Sequence, residues 1–452
     1  MNLKHLSLTK NKLKITMTNQ ELYKGIAEDG LSLPSTMGIF PSSKDFVFSR
    51  ESIEKSLKLT NYFQLINFDL IEIDKDENGA VKQEYQLVVS YLEEEFDVNL
   101  YVVDARSNDY SEFGFGNMIS DEEMEIATQQ DFYLESVMYF GNDALDSFHL
   151  QLKIMQAIVE NPSIVVDFMP YRLLSGKWAK VTAESEIPPA PSYLYVIHGV
   201  YDEDEDGDRV YWMHTHGLHR CGSVELEMLN IKDGVEQMNS ALDMIVNAFI
   251  KPDFRSPENE EFNIGYDGLD ITFCWKRWED VVKDYPATIP GGYNERQPEN
   301  ENYEPCGVLL GVQEGHTLTP EVYAATIADN PIFFISDQET ERMSALAYQR
   351  FESYKKAFNT YFNPEADEEN YYRFLIKLGF DVDHEMNKEH IWFDVYGINE
   401  NNEIFGVCLN RPYAVEGLNE GDEGLYPQEM ITDWLIYTPT NTITPDNIYT
   451  ID

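Results

Sequence analysis

The chain has 452 residues, 43% of them hydrophobic and 13% aromatic, which is enough to build several buried cores and argues against a disordered chain. Its 81 Asp and Glu residues outnumber the 33 Lys and Arg residues, and the formal net charge is -48. Such a negative field repels nucleic acid and anionic membranes, and we expect neither as a partner. Two interpretations of the charge stay open: a highly soluble surface, or an acidic face that docks on a basic protein.

The cysteines and the apolar segments indicate the cellular compartment. Cys221, Cys274, Cys306 and Cys408 are far apart and form no C-x-x-C motif, a pattern that suits a reduced cytosol rather than a disulfide scaffold. The N-terminal segment carries several lysines but no continuous apolar stretch, so it does not resemble a secretory signal. No run approaches the length of about 18 apolar residues that a membrane-spanning helix needs. The sequence therefore predicts a soluble cytoplasmic protein.

The first part of the chain predicts an arm and an α+β module. Residues 1–30 are basic and polar at their start, and we expect them to form a loosely tethered arm. Residues 31–185 carry strand and helix signals in alternation. One predicted helix begins at Ser49, and a second helical segment spans residues 132–160 with an interruption at Gly141 and Asn142. Their predicted strands are residues 37–40, 63–73, 85–92, 96–103 and 163–169.

Residues 186–320 predict a second α+β module, organised around a hairpin. Two strand candidates, residues 193–201 and 209–216, flank the acidic segment 202–208. That segment lacks the closing glutamate and the flanking helices of a calcium-binding EF-hand, so we interpret it as a solvated hairpin tip. A helix is predicted over residues 233–250, where apolar residues recur every three or four positions.

Residues 321–452 predict a third module, a helix followed by a small β-rich part. Ser336 and Glu339 have the capping-box spacing that marks a helix start, and the helix extends to about Tyr361. Strand candidates follow at residues 390–396, 403–409 and 430–437. The sequence therefore predicts an α+β fold of about three mixed modules, with a central antiparallel sheet that contains the hairpin.

Two segments resemble bacterial families that are defined only as domains of unknown function. Residues 324–437 carry the patterns Glu389-His-Ile-Trp-Phe393, Gly406-Val-Cys-Leu-Asn410 and Ile431-Thr-Asp-Trp434, and resemble the family DUF 2314. Residues 150–250, with the run Trp212-Met-His-Thr-His-Gly-Leu-His219, are similar to DUF 4026, and the rest of the chain is assigned to the same family. Some neighbouring families resemble immunity proteins of bacterial toxin systems. The resemblance implies a bacterial protein but supplies no catalytic residues.

The run from Tyr211 to Ser223 concentrates the potential metal ligands of the chain. If the hairpin pairs Tyr201 with Arg209, His198 lies opposite Trp212 and diagonal to His214, on the face that also carries His216. His219 and Cys221 follow Gly217, and a reversal there would let them supply a fourth ligand. Zinc accepts imidazole and thiolate in a tetrahedral site, so the set is chemically adequate.

Two other interpretations of these histidines stay open. One is a set of sheet-face histidines held by hydrogen bonds beside Trp212, and the other is a general acid-base histidine. Near the C-terminus, Asp433 and Trp434 are interpreted as structural, with a ligand contact as the alternative. The sequence contains no complete dinucleotide-binding loop, no Walker motif, no zincin motif and no G-x-S-x-G element.

These patterns favour a non-enzymatic protein-binding module, one version of which is an immunity or antitoxin-like protein whose acidic surface covers a basic effector. That function requires no cofactor. The alternative is a metal-dependent hydrolase, with zinc held by His198, His214 and His216. A scaffold protein without a ligand is a third possibility.

Overall fold

Three β-sheets and the helices packed on them form the α+β fold that the sequence predicts. The computed structural model describes residues 19–71, 79–107, 113, 119–203, 207–265, 269–296, 305–329, 337–366, 371–382 and 388–451. The chain divides into two compact units, one of residues 1–184 with 191–334 and the other of residues 185–190 with 335–452. Within the described ranges, no helix combines the length and apolar character needed to cross a membrane.

The first sheet contains seven antiparallel strands in the order β2-β3-β4-β5-β1-β6-β7. The strands are β1 (Ser35–Pro41), β2 (Gln64–Ile71), β3 (Val81–Tyr91), β4 (Glu94–Asp104), β5 (Phe132–Met138), β6 (Pro162–Asp167) and β7 (Arg172–Ser175). The helices of this part are α1 (Asn19–Asp29), α2 (Arg50–Leu59), α3 (Asp121–Thr128), α4 (Ala144–Ile158) and α5 (Gly176–Glu184).

One prediction for this region is wrong, and the structure describes only the end of the predicted N-terminal arm. The segment 132–160, predicted as helical, starts with strand β5, and helix α4 begins only after Asp143, whose carboxylate accepts hydrogen bonds from the amides of Leu145 and Asp146. The aromatic and β-branched residues before Gly141 favour the strand. In addition, the end of the predicted N-terminal arm is helix α1, where Tyr23 is buried and donates a hydrogen bond to the carbonyl of Cys306.

The second sheet is mixed rather than purely antiparallel, because β10 and β13 run parallel. Its order is β11-β12-β13-β10-β9-β8, and β14 pairs with β13. The strands are β8 (Val196–Glu203), β9 (Arg209–His216), β10 (Glu225–Ile231), β11 (Phe262–Asn263), β12 (Thr272–Arg277), β13 (Cys306–Gln313) and β14 (His316–Leu318). Its helices are α6 (Val235–Phe249), α7 (Trp278–Val281) and α8 (Ala324–Asp329). The long connection through α6 permits the parallel pairing.

The third sheet belongs to the second unit and is antiparallel, in the order β18-β17-β16-β15-β19-β20. The strands are β15 (Arg373–Asp381), β16 (Lys388–Ile398), β17 (Ile404–Cys408), β18 (Glu423–Tyr426), β19 (Ile431–Tyr437) and β20 (Thr442–Ile443). The predicted long helix is two helices, α9 (Asp337–Gln349) and α10 (Phe351–Tyr361), because Arg350 departs from helical geometry. Ser336, from the predicted capping box, lies outside the described residues.

The first sheet buries one carboxyl group with little compensation. Glu135 lies on β5, in register with Gly38 on β1 and Tyr101 on β4, and is 3% exposed. The hydroxyl of Tyr133 donates a hydrogen bond of 3.0 Å to its Oε2 atom. Burial raises the pKa of Glu135 to about 7, because the charged form loses its hydration.

We predict that Glu135→Gln stabilises the protein at pH 8 relative to the wild type. Since the folded pKa lies above the unfolded value of 4.5, the stabilising contribution of Glu135 is complete below pH 4.5 and is lost as the pH rises through 7. The difference in unfolding free energy between the variant and the wild type should increase by about 3 kcal/mol across that range. Urea unfolding followed by circular dichroism measures it, and a pH-independent difference would contradict the prediction.

Candidate metal centre

The hairpin of β8 and β9 has a register that differs from the predicted one by two residues. Tyr201 pairs with Tyr211 rather than Arg209, because the strands continue to a Glu203–Arg209 pair. A shift of two residues leaves every side chain on its predicted face. His198 consequently lies directly opposite His214 rather than opposite Trp212.

Three imidazole rings meet on this face, and we call His198, His214 and His216 the histidine cluster. The ring centroids are 5.4 Å apart for His198 and His214, 5.1 Å for His198 and His216, and 5.0 Å for His214 and His216. One potential ligand nitrogen from each ring lies within 4.8 Å of the other two. Nitrogens bound to a tetrahedral zinc ion at about 2.0–2.1 Å are roughly 3.3 Å apart, so a shared zinc ion would require the three nitrogens to lie closer together than this 4.8 Å limit.

His214 is the buried member of the cluster, with 7% of its surface exposed. Burial holds the pKa of His214 well below its usual value, and the nearby His216, His198 and Arg296 act in the same direction. The ring is therefore neutral at physiological pH, which is the form that binds metal. Its Nδ1 atom is buried and has no hydrogen-bond partner among the described residues.

The indole ring of Trp212 packs against the imidazole ring of His214. The two rings stack with their centroids 3.8 Å apart and their planes at 22°. The indole Nε1 donates a hydrogen bond of 2.8 Å to Oε2 of Glu227, and Nη2 of Arg296 donates one of 2.6 Å to the same oxygen. The Glu227 and Arg296 side chains are both fully buried. The network fixes the tryptophan and, through the stack, the plane of the His214 ring.

Gly291, in a turn that is distant along the chain, packs closely against the Trp212 ring. Its φ of +71° lies in the left-handed region, and a Cβ atom at this position would lie 2.6 Å from the Trp212 ring. Its carbonyl accepts hydrogen bonds from Nε and Nη2 of Arg296. A glycine is required here because both the backbone conformation and the close approach exclude a side chain.

His219 and Cys221, predicted as further metal ligands, do not join the cluster. The chain turns away at Gly217, whose φ is 114°, into a short 3-10 helix, Leu218–Cys221. There Nε2 of His219 lies 2.9 Å from the carbonyl oxygen of Pro305. Burial raises the pKa of Cys221 to about 12, which keeps its thiol protonated. The Glu225 carboxylate fixes the turn by accepting hydrogen bonds from the amides of Gly217 and Leu218.

Arg220 joins the second sheet to the first. Its Nη1 and Nη2 atoms donate hydrogen bonds of 2.9 and 2.8 Å to the two carboxylate oxygens of Asp167, the last residue of β6 in the first sheet. Both side chains have 0% exposure. The guanidinium also donates to the hydroxyl of Ser35 and to the carbonyl of Leu194. Tyr171, from the turn after β6, lies edge-to-face with His216, and the two ring centroids are 5.1 Å apart.

Asp433 and Trp434 lie in the second unit and have separate environments. Trp434 is completely buried, and its Nε1 atom donates a hydrogen bond to the carbonyl of Ala347 in α9. Asp433 lies 4.0 Å from the ammonium group of Lys377. Burial raises the pKa of Asp433 to about 6, and Lys377 counteracts part of that rise. These contacts give Trp434 a place in the core, while a ligand contact at Asp433 stays a prediction.

Three family models match successive segments of the chain, and these segments correspond in order to the three sheets. Residues 35–189 and 197–310 match the N-terminal and C-terminal models of DUF4026, described as a protein of unknown function. Residues 341–452 match DUF2314, described as an uncharacterized protein conserved in bacteria. The chain is a DUF4026 protein that carries a DUF2314 domain. Both predicted resemblances are therefore confirmed. No curated protein and no solved structure matches it.

The histidine cluster, Glu227 and Arg296 all fall within the C-terminal DUF4026 domain, whereas Asp167 and Tyr171 belong to the N-terminal one. The family descriptions assign no activity to these domains. Sequence reasoning missed Glu227, Arg296 and Arg220. The only sequence signal for Arg220 is its position between residues of a run that is otherwise apolar or histidine-rich.

We predict that Asp167→Asn lowers the unfolding free energy by about 3–5 kcal/mol, because it leaves the Arg220 guanidinium buried without a counter-charge. The double variant Asp167→Leu with Arg220→Met should lose less unfolding free energy than the sum of the losses in the single variants Asp167→Leu and Arg220→Met. Urea titration of the four proteins of this double-mutant cycle measures the coupling. Additive effects would show that the pair is not energetically connected.

Proposed function

We propose that this DUF4026 protein binds a divalent transition metal, with zinc as the best match, through the histidine cluster. The observation that carries the proposal is the convergence of one nitrogen from each of three imidazoles within 4.8 Å on one face of the hairpin. Neutral imidazole is a preferred ligand of zinc. His214 supports the proposal because burial keeps it in the neutral, metal-binding form.

The structural interpretation of the histidines explains this arrangement less well. A histidine that serves only to stabilise a sheet is expected to satisfy its buried nitrogens by hydrogen bonds. His219 does so with the carbonyl of Pro305. The buried Nδ1 atom of His214 has no such partner among the described residues. His214 therefore lacks the hydrogen bond that its neighbour His219 makes in the same motif.

The residue types in the histidine cluster indicate which kind of zinc site it would form. Among the described residues, the group contains three histidines and no cysteine or carboxylate. Structural zinc sites usually have four protein ligands, whereas catalytic sites have three and keep one position for water. A zinc ion held by these three histidines would supply activated water for hydrolysis. The cluster therefore fits a metal-dependent hydrolase better than a structural zinc site.

We predict that the full-length protein, purified without a histidine tag, binds one zinc ion per chain after dialysis against zinc and then against metal-free buffer. His198→Ala combined with His216→Ala should lower the affinity at least about 100-fold, because two of the three ligands are lost. Both residues are half-buried, which limits damage to the core. Elemental analysis and a competition titration with a zinc chelator measure the binding.

His390→Ala provides the matched control. It removes one of the nine histidines of the chain, but this histidine lies in the second unit and not in the cluster, so zinc binding should be unchanged. Circular dichroism establishes that each variant is folded. A wild-type protein that retains no stoichiometric zinc, or a double variant that binds as tightly as the wild type, would refute the proposal.

The net charge of -48 supports a second candidate function, the binding of a basic protein, with a toxin-immunity pair as one version. We predict that a basic protein encoded beside this chain in its native genome forms a complex with it. Its dissociation constant should rise steeply between about 0.05 and 0.5 M salt. Added salt shortens the Debye length, which is about 10 Å at 0.1 M, and attraction between exposed charges farther apart than this length is largely screened.

Isothermal titration with the purified neighbour protein measures this complex. An unrelated acidic protein of similar charge serves as the control, and it should bind the same neighbour much more weakly. Equal binding by the control, or no complex at low salt, would exclude a specific partner of this type.

A further inference from the structure

Two polar atoms on adjacent strands are buried without a hydrogen-bond partner among the described residues. Glu227 on β10 is the register partner of His214 on β9, so the two side chains emerge on the same face of the sheet. The Nδ1 atom of His214 and the Oε1 atom of Glu227 are both buried, and neither has a hydrogen-bond partner among the described residues. A buried carboxylate oxygen without a donor is costly, and so is a buried ring nitrogen without a partner.

The other contacts of Glu227 limit where its carboxylate can lie. Its Oε2 atom accepts hydrogen bonds from Trp212 and Arg296, as described above. The indole that holds Oε2 is also the ring that stacks on His214. Glu227, Trp212 and His214 therefore form one packed group, and the Oε1 atom is the part of the carboxylate that is left to serve the histidine.

We propose that Glu227 is the positioning residue of the metal centre, a role that depends on the metal binding proposed above. In this arrangement His214 binds the ion through Nε2, and its Nδ1–H donates a hydrogen bond to Oε1 of Glu227. Metal-binding histidines usually donate their second ring N–H to a carboxylate or a carbonyl, which fixes the tautomer and the direction of the ring. The assignment satisfies both atoms that otherwise have no partner.

Arg296 makes a charged carboxylate tolerable at this depth. Its guanidinium lies 5.2 Å from the Trp212 ring centroid and 5.1 Å from that of Trp278, and it forms an ion pair with Glu227. The arginine neutralises the charge of Glu227 on the Oε2 side and leaves Oε1 as a free acceptor. The network thus supplies a polar acceptor to His214 without adding a net negative charge near the metal.

The test compares zinc affinity in three full-length proteins: the wild type, Glu227→Gln and Glu135→Gln. Loss of a carboxylate that supports a metal ligand typically weakens binding about 10- to 100-fold, and we expect that loss for Glu227→Gln. Glu135→Gln is the matched control, since it also replaces a buried carboxyl group by its amide, lies in the first sheet outside the histidine cluster, and should bind zinc like the wild type. Nitrogen-15 NMR of the zinc-loaded wild type should show His214 protonated at Nδ1 and coordinated at Nε2.

If Glu227→Gln does not fold, Glu227→Gln combined with Arg296→Gln removes both charges of the pair and takes its place, with the same expected loss of affinity. Zinc affinity within about twofold of the wild type for the folded variant, or coordination of His214 through Nδ1, would overturn the assignment of Glu227. A wild-type protein that binds no zinc would instead refute the metal centre itself, so the two failures are distinguishable.

Discussion

The buried ion pair between Arg220 and Asp167 is the constraint on which the arrangement of the DUF4026 domains depends. Removing two charges from water costs several kcal/mol per ion, and the pair is tolerated only because the guanidinium meets several acceptors at once. Arg220 directly follows the turn that ends strand β9. The same pair therefore fixes the end of the strand that carries His214 and His216, and it brings the first sheet close enough for Tyr171 to contact His216.

The alternation of residues in β9 was sufficient to predict the hairpin and the common face of three histidines, because side-chain direction in a strand follows from local geometry. The register was wrong, since two further residue pairs close the hairpin and the sequence alone gave no measure of the loop length. The segment around Phe132 was also assigned incorrectly. Its apolar residues fit a helix pattern, but tertiary pairing with β1 and β4 makes it a strand.

Other parts of the centre could not be predicted because they depend on contacts between distant segments. Glu227 reaches His214 only through the pairing of β9 with β10, and Arg296 arrives from a turn shaped by Gly291. Charged residues are usually exposed, so nothing local marked Glu227 or Arg296 as buried. The left-handed conformation of Gly217, which carries His219 and Cys221 away from the cluster, is likewise invisible in the order of residues.

The stack of Trp212 on His214 has an electronic consequence for the centre. The face of an indole carries partial negative charge, and an imidazole bound to a metal ion becomes electron-poor. The attraction between the two rings therefore increases when positive charge reaches the histidine, although burial alone disfavours that charge. If the cluster binds a metal ion as proposed, Trp212 would stabilise the metal-bound form of the His214 ring more than the free form, and metal affinity would then depend on the packing of the sheet.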